Sequence, residues 1–296
     1  MDKVVVIGGA GFVGSHTADE LTRRGFKVII FDQHESPWLS DSQEMIKGDV
    51  LDSDALKSAV QGARYLYHFG GVADIEKSRS RPFETINVNI IGAANALDAA
   101  RVAGVERFLY ASTMYVYSPF GSFYRASKQA AEIIIESYQE HYGLDYTMLR
   151  YGSLYGPRAQ SWNGLQDYVN QVVKTGRLEY FGSGDERREY IHVEDAARLS
   201  VEVLDDKQRN KAVTVTGSQV LSSSEMIDLI FEIAGKQKNV ILSGFDQEGD
   251  HYSMTPYRYI PKPAHKLTPT EYVDLGQGVL TLVEEAQKLM NSENEQ

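Results

Sequence analysis

Short runs of β-branched and aromatic residues alternate with longer stretches of helical period through the first half of the chain. Val4–Ile7, Lys27–Phe31, Tyr65–Phe69, Arg107–Ala111 and Tyr146–Leu149 are short apolar runs bounded by turn formers, the pattern of strands. Between them Phe12–Arg24, Asp54–Val60, Phe83–Val102 and Tyr124–Tyr142 read as helices. Gly25, directly after Arg23 and Arg24, is a helix C-terminal signal. Strand–helix–strand alternation predicts a doubly wound parallel sheet with helices on both faces. After about Arg150 glycine, tyrosine and turn residues become denser, and helices such as Gln166–Thr175 and Ser224–Ala234 stand between irregular stretches. Met226, Ile227, Ile230 and Ile233 make an ordinary core stripe on the second of these. The expected organisation is an α/β first domain over residues 1–156 and a smaller α/β C-terminal lobe from 157–188 and 216–296. Residues 189–215 are expected to rejoin the first domain, because Glu189–Leu204 again reads as strand then helix. The polar tail Asn291–Gln296 is expected to fray.

At ~150 residues per domain, 296 residues fit about two such units. Thirty basic residues against 41 acidic give a net charge of −11, which disfavours a nucleic-acid backbone as partner. The absence of cysteine excludes disulfides, thiolate metal sites and a thiol nucleophile. Seven scattered histidines lack metal-ligand spacing, so no metal is expected. His192, beside a strand, reads as a packing or hydrogen-bonding residue. The apolar run Val4–Ile7 is cut by Gly8 and Gly9, too short for a membrane span or secretory signal. A soluble, cytoplasmic protein is expected.

Gly8, Gly11 and Gly14 follow the first strand and open the first helix. Gly8 allows a sharp turn, Gly11 a close backbone approach to a pyrophosphate, and Gly14 tight helix–strand packing. The N–H groups at the start of that helix, around Phe12 and Val13, face the phosphates. Asp32, with Gln33 after it, ends the second strand, where a carboxylate accepts from the adenosine ribose hydroxyls. The next cation is Lys47, so a 2′-phosphate has no partner and NAD is expected over NADP. These features predict a Rossmann dinucleotide site.

The glycine spacing resembles that of extended short-chain dehydrogenases/reductases acting on nucleotide sugars, the NAD-dependent epimerase/dehydratase family. The resemblance continues in order over roughly residues 3–205. Gly48-Asp49-Val50 looks like the segment touching adenine. His68-Phe69-Gly70-Gly71 looks like the strand end beneath the cofactor, with Gly70 where alanine is usual. Asn89-Ile90-Ile91-Gly92-Ala93 is similar to the family's Asn-Val-x-Gly-Thr helix. Arg150-Tyr151-Gly152-Ser153-Leu154-Tyr155-Gly156-Pro157 is similar to its Arg-Tyr-x-Asn-x-Tyr-Gly-Pro run, and Arg187–Asp195 to its Arg-Asp-Phe-x-x-Val-x-Asp segment. The resemblance implies cofactor contacts at Asp49, Val50, Phe69, Gly70, Gly71, Asn89 and Tyr151. It implies substrate contacts at Thr113, Ser153 and Arg188. Ser153 replaces the asparagine that commonly holds the substrate diphosphate. The arginine expected before Gly249-Asp250 is Gln247, a charge that Arg258 or Lys262 could supply. The aromatic run Tyr252 to Tyr259 reads as a sugar or base pocket, or equally as a surface loop.

Tyr124 and Lys128 form a Tyr-x-x-x-Lys pair. With 18 tyrosines and 14 lysines about one such pair is expected by chance, so its place decides: it opens a helix just after the fifth strand and Thr113. On a helix, i and i+4 share a face, where an ammonium favours the phenolate form of the tyrosine. The resemblance implies that Tyr124 exchanges a proton with a sugar hydroxyl and that Thr113 hydrogen-bonds it. Lys128 would also hold the nicotinamide ribose. Related dehydratases carry Asp-Glu directly after the Ser/Thr position; here Met114 and Tyr115 cannot protonate and deprotonate for water loss. Related decarboxylases carry Glu at the second of these positions. The expected activity is therefore epimerisation of a nucleotide sugar, with a UDP-sugar and its 4-position favoured, through a transient 4-keto sugar. Alternatives are a nucleotide-sugar reductase, dehydrogenase or dehydratase, and an inactive dinucleotide sensor on the same fold. Only ten residues, Met114–Phe123, separate Thr113 from Tyr124, fewer than usual in the family. By resemblance the helices 83–102 and 124–142 form a homodimer interface; the sequence alone also allows their apolar faces to be core.

Overall fold

The computed structural model describes residues 1–243 and 265–294. Its first half runs β1 (Lys3–Ile7), α1 (Phe12–Arg23), β2 (Lys27–Asp32), β3 (Gln43–Lys47), α2 (Ser53–Val60), β4 (Tyr65–His68), α3 (Ile75–Ser80), α4 (Pro82–Ile86), α5 (Gly92–Ala103), β5 (Arg107–Thr113), α6 (Ser122–Tyr142) and β6 (Tyr146–Tyr151). The second half runs β7 (Ser153–Tyr155), α7 (Gly164–Thr175), β8 (Leu178–Phe181), β9 (Arg187–His192), α8 (Val193–Glu202), β10 (Lys211–Val215), β11 (Val220–Ser222), α9 (Ser223–Ile233), β12 (Val240–Ser243), β13 (His265–Leu267) and α10 (Leu275–Asn294).

Eight strands form one sheet in the order β3-β2-β1-β4-β5-β6-β10-β13, every neighbouring pair parallel. The chain winds outward from β1 in one direction and from β4 in the other, so the strand order reverses between them. In doubly wound sheets that switch point opens a crevice at the strands' C-terminal ends. Because both faces are covered, these strands read as continuous apolar runs. Val5, Phe31, Leu66 and Phe108 lie in the core with residues of α2, α5 and α6. Val4, Ile30, Tyr67 and Leu109 lie in the opposite core with residues of α1 and α8. A third core joins Tyr155, Leu178 and Tyr180 to α7, α9 and α10, beside two small sheets, β11-β9-β7 and β12-β8. The molecule is thus a Rossmann-type α/β sheet carrying a smaller α/β lobe.

Three expectations are corrected in detail. The strand of the Glu189–Leu204 segment, β9, pairs with β7 and β11 rather than with the large sheet. Its helix α8 lies against α1, and the large sheet is regained by β10, then by β13 from the stretch assigned to the lobe. The single helix over Phe83–Val102 is α4 and α5 joined by a wide π turn, Asn87–Ile91, which shifts the hydrogen-bond period without ending the rod. The tail is helical through Asn294.

Candidate active site

The glycine loop is shaped by contact between backbones. Gly8 has φ +78°, and a Cβ there would lie 2.4 Å from Gly70 N, so the loops after β1 and β4 touch. Phe69 N and Gly70 N both donate to Ile7 O, at 2.8 and 3.1 Å. A Cβ on Gly14 would lie 2.2 Å from Gly8 O, which brings α1 against the turn. At Gly11 the nearest protein atom to such a Cβ stands at 3.3 Å, so the demand for glycine there is weak from within the protein and fits a ligand's approach. No side chain caps α1, whose N-cap is Gly11. The N–H groups of Phe12, Val13 and Gly14 and the positive helix end therefore suit a pyrophosphate.

Asp32 closes the loop's other side. Its carboxylate accepts from Ala10 N and His34 N, both at 3.1 Å, and it remains partly exposed. Gln33 beside it is exposed. Gly48 N donates to Asp32 O at 2.9 Å, which places Asp49 next to β2. Asp49 is exposed and caps Leu51 N; Val50 is buried against Gly92. Phe69 stacks on Tyr67, with ring centroids 6.1 Å apart. The groups around the crevice fit a dinucleotide, with Asp32 at its ribose end.

Two residues expected at the cofactor have hydrogen-bond partners within the protein. Asn89 sits in the π turn, 1% exposed. Its Oδ1 accepts from Val72 N at 2.7 Å, and its Nδ2 donates to Val72 O and Ser127 Oγ, both at 2.9 Å. The amide ties the loop after β4 to α6. The Tyr151 hydroxyl pairs with Ser200 Oγ at 2.5 Å, on the α8 side of the sheet. Burial raises its pKa.

Thr113 ends β5, and its Oγ1 accepts from Tyr115 N at 3.2 Å. After a tight turn over Met114–Tyr117, Gly121 at φ +100° caps α6. Tyr124 and Lys128 then lie one turn apart on one helix face. The Tyr124 ring meets the Tyr115 ring edge-on at 6.1 Å. Lys128 is buried, donates from Nζ to Ala111 O at 2.8 Å, and stands 4.7 Å over the Tyr110 ring. Burial pushes its pKa down to about 8, and the charge of Glu132 works the other way.

Glu132 heads a buried network that the sequence pattern alone does not reveal. Its carboxylate receives Arg150 Nε at 2.9 Å, Arg150 Nη2 at 2.7 Å and Ser112 Oγ at 2.6 Å; Arg150 also donates to the Tyr117 hydroxyl. Both charged side chains are 1% exposed. The segments carrying Thr113, Tyr124 and Tyr151 are locked together by it. An acid one turn beyond Lys128, amid Ala131, Ile134 and Ile135, was the available signal. His68 lies beneath Gly70, tilted against the Phe108 and Tyr110 rings. Burial, with the nearby Lys128 charge, holds its pKa at about 3, so it stays neutral.

Ser153 and Arg188 lie on adjacent strands β7 and β9, at the start of the smaller lobe. Arg188 is half-buried near Tyr168. His192 caps α8 by accepting from Glu194 N at 3.4 Å, and burial lowers its pKa to about 4. Arg258, Gln247, Lys262 and the run Tyr252 to Tyr259 lie outside the described residues. Among the described residues no group of three or more His, Asp or Glu side chains could hold a metal, and no helix is long and apolar enough to cross a membrane.

A UDP-N-acetyl-alpha-D-glucosaminuronate decarboxylase of Bacillus cytotoxicus is 25% identical to this chain over 278 residues, covering 84% of this chain and 85% of its own. The Thermus thermophilus UDP-glucose 4-epimerase in complex with NAD superposes with a TM-score of 0.81 at 25% identity, over 96% of this chain and 99% of that one. The Thermotoga maritima UDP-glucose 4-epimerase with UDP-glucose matches in fold with a TM-score of 0.85 at 24% identity, over 97% and 99%. The cofactor bound by the Thermus enzyme is the one the glycine loop and Asp32 fit here, NAD. The model of the NAD dependent epimerase/dehydratase family matches residues 4–216, most of the chain and every element around the crevice, and the protein belongs to that family.

Proposed function

We propose that the protein is an NAD-dependent nucleotide-sugar epimerase that inverts C4 of a UDP-sugar. The observation that carries this reading is the pair of residues next to Thr113. Met114 is fully buried against Val116 and Tyr117, and the Tyr115 ring meets the Tyr124 ring edge-on. No carboxylate stands at either position to eliminate water or steer a decarboxylation, whereas Thr113, Tyr124 and Lys128 suffice for the proton transfer that accompanies reversible oxidation of one carbinol by bound NAD.

Bound NAD supplies the hydride acceptor and donor. Tyr124, as phenolate, takes the proton of the sugar hydroxyl and later returns it. Lys128, an ammonium below its pKa of about 8, favours that phenolate and holds a ribose. Thr113 keeps its hydroxyl proton free to donate, because its oxygen already accepts from Tyr115 N. The diphosphate is held by Arg188 and Ser153, with Arg258 as a further candidate. Inversion requires the keto sugar to turn over while the nucleotide stays anchored.

The working unit is proposed to be a homodimer. Phe83, Ile86 and Ile91 on the α4–α5 rod are exposed, as are Phe123 and Ile133 on α6, where Phe123, Ala126, Ala130 and Ile133 recur at helical spacing.

The test is incubation with UDP-glucose, UDP-galactose and the corresponding uronic acids, without added cofactor, followed by NMR and absorbance of reduced cofactor. A 4-epimer without bulk NADH is expected. Tyr124→Phe should lose ~10²–10⁴-fold in rate while still binding NAD. Steady NADH, a 6-deoxy-4-keto product or a near-normal Tyr124→Phe variant would overturn the reading.

A further inference from the structure

The segment after β7 makes three contacts that the proposed chemistry does not use. Pro157 O lies 3.0 Å from His16 Nε2 on α1. Arg158 pairs with Asp19, two turns into α1, at 2.8 Å. The Arg158 guanidinium stacks 4.8 Å over the ring of Trp38. Trp38 belongs to the β2–β3 connection, six residues beyond Asp32. Thus two consecutive residues reach across α1 from the β6–β7 side to the Asp32 side.

The crossing is built, not incidental. Arg158 has φ +66°, a left-handed conformation that a non-glycine residue adopts only where its surroundings hold it. Asp19 is fixed from the other side by Gln43 Nε2 at 3.0 Å, at the first residue of β3. The His16 ring meets Phe12, the first residue of α1, edge-on at 6.3 Å. Trp38 N is bonded to Ser36 Oγ at 3.3 Å, and Ser36 N to the Met45 sulfur at 3.3 Å. The contacts therefore link the helix that faces the pyrophosphate, the connection that carries Asp32, and the segment leading into the smaller lobe.

We propose that Arg158 and Trp38 form a latch over α1 that slows release of the dinucleotide. A ligand lying between the glycine loop and Asp32 leaves when the β2–β3 connection swings outward, and the stacked guanidinium opposes that swing. Both are positioning residues. The inference rests on the dinucleotide site and is independent of which sugar reaction the site performs.

The test loads the purified protein with NADH, chases with excess NAD, and follows the loss of bound-NADH fluorescence. Arg158→Ala and Trp38→Ala are each expected to speed release about threefold to fivefold, the range of a partly exposed cation–π contact. The double variant should be no faster than the quicker single one, because both singles already lose the same stacking contact. Trp38→Phe, which keeps a ring under the guanidinium, should stay near wild type. Melting temperatures run in parallel separate a latch from a fold defect. Release within twofold of wild type in both alanine variants overturns the latch, as does a double variant whose effect is the product of the singles. Lowered melting with unchanged release likewise leaves a structural contact only. A latch effect in a protein that epimerises none of the sugars would leave this inference standing and sink the epimerase reading alone.

Discussion

Lys128 shows how a residue proposed to serve chemistry costs stability. Its ammonium is buried with one backbone acceptor and a ring face, and its pKa is about 8 against an ordinary 10.5. Between those values the unfolded chain binds the extra proton, so this group's contribution to stability rises with pH from 8 to 10.5; below pH 8 the buried charge is a constant penalty. Lys128→Met should therefore raise Tm at pH 7 by a few degrees, on the order of 1–3 kcal/mol, while abolishing turnover. The difference in Tm should shrink as pH climbs past 8, which a series of thermal melts would reveal; a lower Tm at pH 7 would show that the Ala111 hydrogen bond outweighs desolvation. The placement of Lys128, Tyr124 and Thr113, at the end of β5 and on one face of α6, was legible because it depends on residue spacing and place after a strand. Asn89 was legible as a candidate but its protein partners were not, since an amide's partners depend on a π turn that leaves the apolar period intact.

At the scale of elements, α6 is fastened through Glu132. The Glu132–Arg150 pair joins the helix to β6, Ser112 adds β5, and Tyr117 adds the tight turn between them. Removing one partner strands a buried charge, which costs about 3–5 kcal/mol. Glu132→Ala should lower Tm steeply, and a double Glu132→Met, Arg150→Met variant should recover part of the loss; equal melting of wild type and the single variant would contradict the network's role. The sequence announces β1, β2, β4, β5 and β6 because strands covered on both faces are runs of Val, Ile, Leu and aromatics. It hides β3, an edge strand reading Gln-Glu-Met-Ile-Lys, since one-sided burial needs few apolar residues. It hides α10 too, whose first turn holds Gly276 and Gly278; the latter packs on Tyr155, where a Cβ would come within 2.7 Å. The Glu189–Leu204 pattern is right in type, but pairing partners for a six-residue strand are decided by the lobe it meets.

For the molecule as a whole, the division of labour follows the sheet. Strand ends on one edge of the crevice fit the dinucleotide, β5 and α6 carry the groups proposed to transfer a proton, and β7 with β9 starts the lobe proposed to anchor the nucleotide sugar. The exposed stripe on α6 gives the proposed dimer a direct check: Ile133→Glu should turn a dimer in sedimentation into a monomer, and an unchanged sedimentation coefficient would place the interface elsewhere. The central claim, that a single sugar carbon is oxidised and reduced again within one site, is tested most directly by isotope tracing. A UDP-sugar carrying deuterium at C4 is converted in ordinary water and the product examined by NMR. Full retention of deuterium at C4 in the epimer, with none released to solvent, is expected, because the hydride leaves that carbon and returns to its other face. Loss of the label to water, or its appearance at C6 of a deoxy product, would contradict it.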